Sequence, residues 1–206
     1  VGIKPISPVT DEGPTVHMAV RKDWPILRNL IDKTLKAIPA GERDAISNQW
    51  ISFAENKIVQ SRAKVILTAE EQNWINQHPV IRVHNETDWP PFNYFEYGRP
   101  RGLSIDYMDL IAEKLGLEVE YVTGTSWNKF LELIKRKELD VMLNIVKSEY
   151  WQKYLLYTEP YVKNPNVVVS DEKSAYESIE ALFGKTVAFP KGFFYEEELA
   201  KSFPQL

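Results

Sequence analysis

The chain has no cysteine among its 206 residues. That excludes a disulfide framework, a thiol nucleophile and any cysteine-ligated metal. Histidine is scarce as well. His17, His78 and His84 are scattered, and no HExxH or paired-histidine spacing joins them. Neither a metal nor an organic cofactor is therefore expected. No apolar run approaches the roughly 18 residues that a membrane span needs. No basic start followed by an apolar stretch marks a signal peptide at Val1. Excess positive charge is also missing: 25 Lys and Arg stand against 29 Asp and Glu, for a net charge of −4. The two signs are interleaved, which excludes the basic stripe of a nucleic-acid-binding protein. The longest basic cluster, Lys135-Arg136-Lys137, ends a predicted helix and compensates its dipole.

What is present is an ordinary globular composition. Hydrophobic residues make up 44% and aromatic residues 12% of the chain. The length suits one domain, or one plus a fragment. The abrupt start and end read as a piece of a longer protein.

Residues 1–14 carry Pro5, Pro8, Pro14, Gly2 and Gly13 and read as a loop. Residues 17–20 read as a strand. Asp23 is placed to cap a helix over 25–38 that has Pro25 in its first turn and Ile26, Leu27, Leu30, Ile31, Leu35 and Ile38 at helical spacing. A second helix is predicted over 42–58, with Ile46, Trp50 and Phe53 on one side. Thr68-Ala69-Glu70-Glu71 is a capping box opening a helix over 69–76, and Pro79 ends it at His78.

From residue 80 onward, strand and helix patterns alternate. A strand over 80–84 leads into Asp88-Trp89-Pro90-Pro91-Phe92, whose prolines argue against regular structure. An extended segment over 92–97 and a turn over 98–102 follow. A helix then runs to Leu115, with Ile105, Met108, Ile111, Ala112 and Leu115 inward and Gly116 as its stop. Strands are predicted over 118–123, 141–145, 166–170 and 185–189. Helices are predicted over 127–136 (capped by Ser126), 148–154 (a turn capped by Ser148), 174–183 and 194–203. This alternation means β-α-β crossovers and a largely parallel sheet, with ligands expected beyond the carboxyl ends of the strands. Three loops are selected: 85–92, 145–151 and 190–194.

At these residues the sequence resembles a known family. Trp89-Pro90-Pro91-Phe92, then Gly102-Leu103-Ser104-Ile105-Asp106-Tyr107 with Ala112-Glu113-Lys114-Leu115-Gly116, then Leu139-Asp140-Val141 and Tyr157-Thr158-Glu159-Pro160-Tyr161 carry the likeness. In order and spacing they are similar to the family 3 extracellular solute-binding domain, the type II periplasmic binding protein or Venus flytrap. Residues 67–79 resemble the lead-in to flytrap domains of membrane-bound bacterial sensors such as hybrid histidine kinases, where the domains often stand in tandem.

The resemblance implies an α/β fold of the periplasmic-binding-protein-like II class. It has a mostly parallel sheet flanked by helices and two lobes, the second incomplete here. It divides the chain into residues 1–62, the C-terminal segment of a preceding flytrap module; 63–79, a linker with a capped helix; 80–170, lobe 1 of a second module; and 171–206, the start of lobe 2. The segment over 15–55 is expected to dock on the lobe over 80–170 in a permuted arrangement.

The function implied is that of an extracytoplasmic, small-solute-binding sensory module in a membrane-anchored signalling protein. It would be periplasmic, part of an inner-membrane-anchored protein, and would signal by lobe closure. The alternatives are the binding subunit of an ABC importer and an enzyme on the same fold. No catalytic pair of carboxylates is singled out by the sequence. The expected partners are a small solute, a neighbouring flytrap module, and a second copy through a homodimer of the full-length receptor.

The ligand-binding candidates are Trp89, Asn144, Val146, Ser148, Trp151 and Phe193. Trp89 would stack on the solute, with packing on Pro90 and Pro91 as its bland alternative. Asn144, an ordinary strand-end residue on the competing view, and Val146 would present an amide or backbone groups. Amino-acid-binding members place Thr-x-x-Arg after the Asp-Val strand, and the arginine grips a carboxylate. Here Ser148-Glu149-Tyr150-Trp151 stands in that register, so Trp151 replaces the arginine. Phe193, in Lys191-Gly192-Phe193-Phe194, replaces a hydroxyl of the family's anion-binding helix start. Both departures point away from a plain α-amino acid. Asp106 and Asp140 read as cap and sheet residues.

Overall fold

The computed structural model describes residues 3–8, 15–51, 64–163, 167–171, 176, 178–188, 201 and 203–205. In chain order the elements begin with β1 (Ile3–Pro8), β2 (Thr15–Arg21), α1 (Pro25–Ala37), α2 (Ala40–Trp50) and α3 (Ala69–Gln77). Next come β3 (Val80–His84), β4 (Asp88–Trp89), β5 (Asn93–Glu96), β6 (Arg99–Arg101) and α4 (Leu103–Leu115). The remainder are β7 (Glu118–Val122), α5 (Trp127–Lys135), β8 (Val141–Val146), β9 (Leu155–Tyr157), β10 (Val162–Lys163) and β11 (Val167–Asp171). The chain forms two compact units, His17–Tyr161 and the combination of Val1–Val16 with Val162–Leu206.

The larger unit is built on a mixed sheet. β3 runs parallel to both β7 and β8, as the strand–helix alternation predicts. β2 lies on the far side of β8 and pairs antiparallel with β9. Residues 16–21 of β2 are all buried, which marks it as an interior strand covered on both faces. His17 and Met18 bind Thr158: the ring Nδ1 of His17 lies 2.7 Å from the Thr158 carbonyl, and the Met18 amide donates to Thr158 Oγ1 at 3.1 Å.

Segment 15–50 therefore joins the same sheet and core as residues 80–161, which is the permuted docking expected from sequence. α1 packs on α4, α3 and β9. Its Leu27, Leu30 and Ile31 are fully buried, each side chain contributing roughly 1.5–3 kcal/mol of apolar burial. α3 is tied to α1 by Lys33, whose Nζ donates to both Glu71 oxygens at 2.7 and 2.6 Å, and by Trp24, whose ring meets Trp74 and His78 edge-on.

An ionic cluster locks β2 to β3 and β8. Asp140, 1% exposed, accepts from Arg21 Nη1 at 3.0 Å, from Arg82 Nε and Nη2 at 2.9 and 2.8 Å, and from the Arg82 amide at 2.9 Å. Arg21 also grips Asp23 through two bonds of 2.9 Å and stacks on Trp24 at 4.6 Å. Asp140, expected as a sheet residue, stands just before β8, where it is a buried anion shared by two guanidinium groups.

Several local expectations are corrected. Asp23 is not the cap of α1: Trp24 occupies that position with no side-chain bond, because Asp23 is held by Arg21. Residues 3–8, expected as loop, form β1, which pairs antiparallel with β11 in the smaller unit. Pro5 and Pro8 are tolerated because β1 has one partner strand and needs only one edge of hydrogen bonds. The segments around Trp89 and over 98–102 are not loops throughout. β4, β5 and β6 make a small three-stranded sheet, with Trp89 opposite Asn93 and Phe95 opposite Pro100.

Phe92 is half-buried, whereas its neighbour Asn93 is fully buried. The helix predicted over 42–58 is α2 as far as Trp50, and residues beyond 51 up to 63 lie outside the described ones. In the smaller unit, the helix predicted over 174–183 is, among described residues, a single 3-10 turn, Glu180–Leu182, with Leu182 buried. No strand forms over the described residues 185–188, which have no ladder partner. The helix predicted over 194–203 falls largely outside the described residues.

Candidate functional site

The carboxyl end of β8 meets the amino end of α4 through Asn144 and Ser104, and the loop between β4 and β5 closes over that end. The Leu103 amide donates to the Pro91 carbonyl and the Ser104 amide to the Phe92 carbonyl, both at 2.8 Å. The Pro90–Pro91 peptide bond is cis. These loop carbonyls satisfy two of the amides that a helix start leaves unpaired, so α4 needs no side-chain cap. Gly102 permits the approach. It has a φ of +126°, and a Cβ there would stand 2.2 Å from the Phe92 carbonyl oxygen. The sequence elements Trp-Pro-Pro-Phe and Gly-Leu-Ser are thus two halves of one joint.

Asn144 is the hub of the site. Its backbone takes the left-handed conformation, φ +56°, inside β8. Its Oδ1 accepts from Tyr161 OH at 2.6 Å and from Ser104 Oγ at 2.5 Å, and its Nδ2 donates to Asn93 Oδ1 at 2.8 Å. Tyr161 OH also lies 2.8 Å from Ser104 Oγ. Burial pushes the Tyr161 hydroxyl above its ordinary pKa, so it stays a donor at neutral pH. Asn144 is therefore more than an ordinary strand-end residue. Its side chain holds the strand end to α4, to β5 and to the segment after β9.

Trp89 lies in β4 and is 38% exposed. Val146 ends β8, half-buried. Ser148 Oγ accepts from the Trp151 amide at 3.4 Å, but Tyr150, not Ser148, stands at the cap of the short turn Trp151–Lys153. Trp151 packs against the core cluster of Phe130, Leu131, Ile134 and Met142 on the α5 side. The ammonium of Lys135, from the last turn of α5, stands over three ring centroids: Trp151 at 4.6 Å, Tyr154 at 4.8 Å and Tyr150 at 5.3 Å. This cation–π cluster pins the loop after β8 to α5. Phe193 lies outside the described residues.

The structure joins Asn144 to residues that the sequence did not single out as site residues: Asn93, Ser104 and Tyr161. Ser104 and Tyr161 stand in the motifs that carry the family resemblance, and Asn93 had no local signal. Asn85, one residue past β3, is a further buried polar side chain at this end. It is fully buried, and its amide donates to the Val122 carbonyl at 2.9 Å.

The titratable groups near this end are engaged structurally. Burial raises the pKa of Asp106, while the Trp50 indole donates to its carboxylate at 2.6 Å. His84 Nδ1 accepts from the Leu143 amide at 3.1 Å, and its ring is met edge-on by Phe130 and Trp127. Among the described residues, no three His, Asp or Glu side chains gather to hold a metal ion, and no helix is long and apolar enough to cross a membrane.

Residues 81–203 match the bacterial extracellular solute-binding proteins, family 3. The chain belongs to that family. The virulence sensor protein BvgS of Bordetella bronchiseptica is 25% identical over 191 residues, covering 90% of this chain and 15% of that protein. The sensor protein EvgS of Escherichia coli K12 is 24% identical over 188 residues, again 90% of this chain and 15% of the relative. The chain thus spans about one-seventh of the length of these sensors. Among solved structures, the periplasmic VFT2 domain of Bordetella pertussis BvgS superimposes with a TM-score of 0.57 at 22% identity, over 68% of this chain and 60% of that one. That superposition shows the Venus flytrap fold, a partial domain with a mixed sheet flanked by helices.

Proposed function

We propose that this member of the solute-binding family is an extracytoplasmic sensory module: a periplasmic part of an inner-membrane-anchored receptor, in which lobe closure on a small solute biases an output domain outside this chain. The observation that carries the reading is the extent of the likeness. BvgS and EvgS match over 90% of the chain, whereas the arginine-binding protein ArtP of Bacillus subtilis matches over 54%. On this reading residues 1–62 are the C-terminal segment of a preceding flytrap module, 63–79 the linker, 80–170 lobe 1 and 171–206 the start of lobe 2. A neighbouring module and a second receptor copy are its protein partners.

The solute is held by Trp89, Val146, Ser148, Trp151 and Phe193, with Asn144 contributing backbone groups. It is not a plain α-amino acid, because no arginine follows Ser148 in the loop that bears Trp151. The test is a melting-shift and tryptophan-fluorescence screen of α-amino acids, aromatic acids and short amines on the intact receptor ectodomain, with Trp89→Ala alongside. A solute outside the α-amino acids should raise the midpoint in wild type and lose at least tenfold in affinity in the variant. Micromolar binding of L-arginine or L-glutamate would overturn the ligand assignment. Unchanged output of the full receptor when Trp89→Ala is introduced would overturn the sensory one.

The importer reading rests on similarity to binding proteins: 28% identity to ArtP over 112 residues, and 25% identity over 152 residues, 73% of this chain, to the putative amino-acid ABC transporter-binding protein PatH of Vibrio harveyi. Sequence beyond Leu206 that encodes a membrane span and an output domain decides against it.

A further inference from the structure

Three rings in the loop after β8 form a cage around one ammonium group. Tyr150 and Trp151 stand 5.2 Å apart at 87°, Trp151 and Tyr154 6.0 Å apart at 57°, and Tyr150 and Tyr154 6.1 Å apart at 55°. No two are parallel, so the rings are the walls of a cup and not a stack. Lys135 Nζ lies within 5.3 Å of all three centroids, and Lys153 Nζ lies 5.9 Å from that of Tyr150. The cup opens to water: Tyr150 is 48% and Tyr154 36% exposed, while Trp151 is backed by the core cluster beside α5.

The rings, and not a counter-ion, hold the Lys135 charge. Among the described residues Lys135 makes no salt bridge, and its ammonium donates to Tyr150 OH at 3.3 Å. A primary ammonium is an imperfect occupant of such a cup. It carries three N–H donors and is strongly hydrated, and ring faces are poorer partners for those donors than water is. A quaternary ammonium has no N–H to satisfy and presents methyl groups to the rings, so it gives up less on entering. Aromatic cages recognise cations of that kind. Lys135 also sits on a flexible four-carbon stem in the last residue of α5, and can swing out into water.

We infer that Tyr150, Trp151 and Tyr154 form a binding site for the head group of a small quaternary ammonium cation, with Lys135 as its built-in competitor. The free cation takes the cage when Lys135 swings out, so the lysine sets the concentration at which the site fills. The same loop carries Ser148. A quaternary ammonium compound is thus the ligand class for the solute site proposed above, and its sensory meaning rests on that reading; the affinity of the cage for the cation does not.

The test titrates the full chain with tetramethylammonium chloride, read by saturation-transfer NMR of the methyl protons, with sodium chloride at equal ionic strength as the control. Wild type, Lys135→Met, and Lys135→Met combined with Tyr154→Leu are compared. Removing the competitor should lower the dissociation constant about tenfold, and removing one wall of the opened cage should raise it again by about the same factor. Trp151 is left in place because it packs on the core. If Lys135→Met binds no more tightly than wild type, or if Tyr154→Leu leaves its binding unchanged, the proposal is overturned. Should the Tyr154→Leu variant fail to fold, Tyr150→Leu, at the more exposed ring, takes its place. The readout involves neither Trp89 nor an output domain. A failed solute screen therefore leaves the cage standing, and a failed titration leaves the Trp89 reading standing.

Discussion

Replacing Gly102 with alanine should unseat the joint between the β4–β5 loop and the start of α4. The new Cβ would meet the Phe92 carbonyl oxygen at 2.2 Å, the Phe92 carbonyl carbon at 2.6 Å and the Pro91 oxygen at 2.9 Å. These are backbone atoms, so no side-chain rotation relieves the clash. At φ +126° and ψ 169°, the residue also sits in a region that only glycine occupies freely, which costs about 1–3 kcal/mol for another residue. Relief requires the loop to move away, which breaks the two 2.8 Å bonds from the α4 amides to the Pro91 and Phe92 carbonyls. At roughly 0.5–1.5 kcal/mol each, these bring the total to about 2–6 kcal/mol. For a chain of this size the midpoint should fall by roughly 5–20 °C.

Circular dichroism melting measures the fall, and hydrogen exchange over residues 86–104 should show the loop opening. Gly98→Ala is the control. It too has positive φ, +79°, but its added Cβ meets nothing within 4 Å. If Gly102→Ala melts no lower than Gly98→Ala, the loop carbonyls do not cap α4 as described.

Two further outcomes follow from the buried polar groups. Asp140→Ala should lower stability by about 2–4 kcal/mol. This is somewhat less than the ~3–5 kcal/mol of a fully broken buried pair, because Arg21 keeps Asp23 and the one-third-exposed Arg82 can turn to water. Urea unfolding measures it, and a loss under 1 kcal/mol would show that the cluster does not lock β2 in place. His17 introduces a pH dependence. Burial holds its pKa below 6.5, so the unfolded chain takes up the proton first as pH falls. The stability that neutral His17 allows is complete above pH 6.5 and lost progressively below it, toward the folded pKa. The melting midpoint of wild type should therefore drop between pH 7 and 5.5 more steeply than that of His17→Asn, and equal slopes would refute the assignment.

Local pattern made much of this fold legible. The capping box is present in full: Glu71 N–H donates to Thr68 Oγ1 at 3.2 Å, and the Thr68 amide donates to Glu71 at 2.7 Å. The inward face of α4 is the predicted one, with Ile105, Met108, Ile111, Ala112 and Leu115 all buried, and Gly116 closes the helix at φ +71°. Ser126 caps α5 as its position foretells. Such features depend on residues within one turn of each other, so spacing reveals them.

The misses have the opposite character. β1 reads as a loop because its two prolines weigh against a strand, and only the distant partner β11 makes one of it. Asp23 has the right chemistry for a cap, yet Arg21 claims its carboxylate. Asn93 and Ser104 look like surface polar residues in sequence, and become buried because Asn144 and Tyr161 meet them from segments far along the chain. Trp151 was legible as a departure from an arginine grip. Its position against α5, under Lys135, was not.

The sequence by itself determined the family, the crossover pattern of strands and helices, and the loops in which a ligand would be sought, because periodicity and turn chemistry act over a few neighbouring residues. The tertiary structure decided how residues 15–50 dock on residues 80–161, with β2 as an interior strand beside β8 and α1 packed on α4. It also decided which amides meet at the end of β8. Both depend on hydrogen bonds and apolar contacts between segments as much as 140 residues apart, such as that from the Met18 amide to Thr158 Oγ1, which no local pattern encodes.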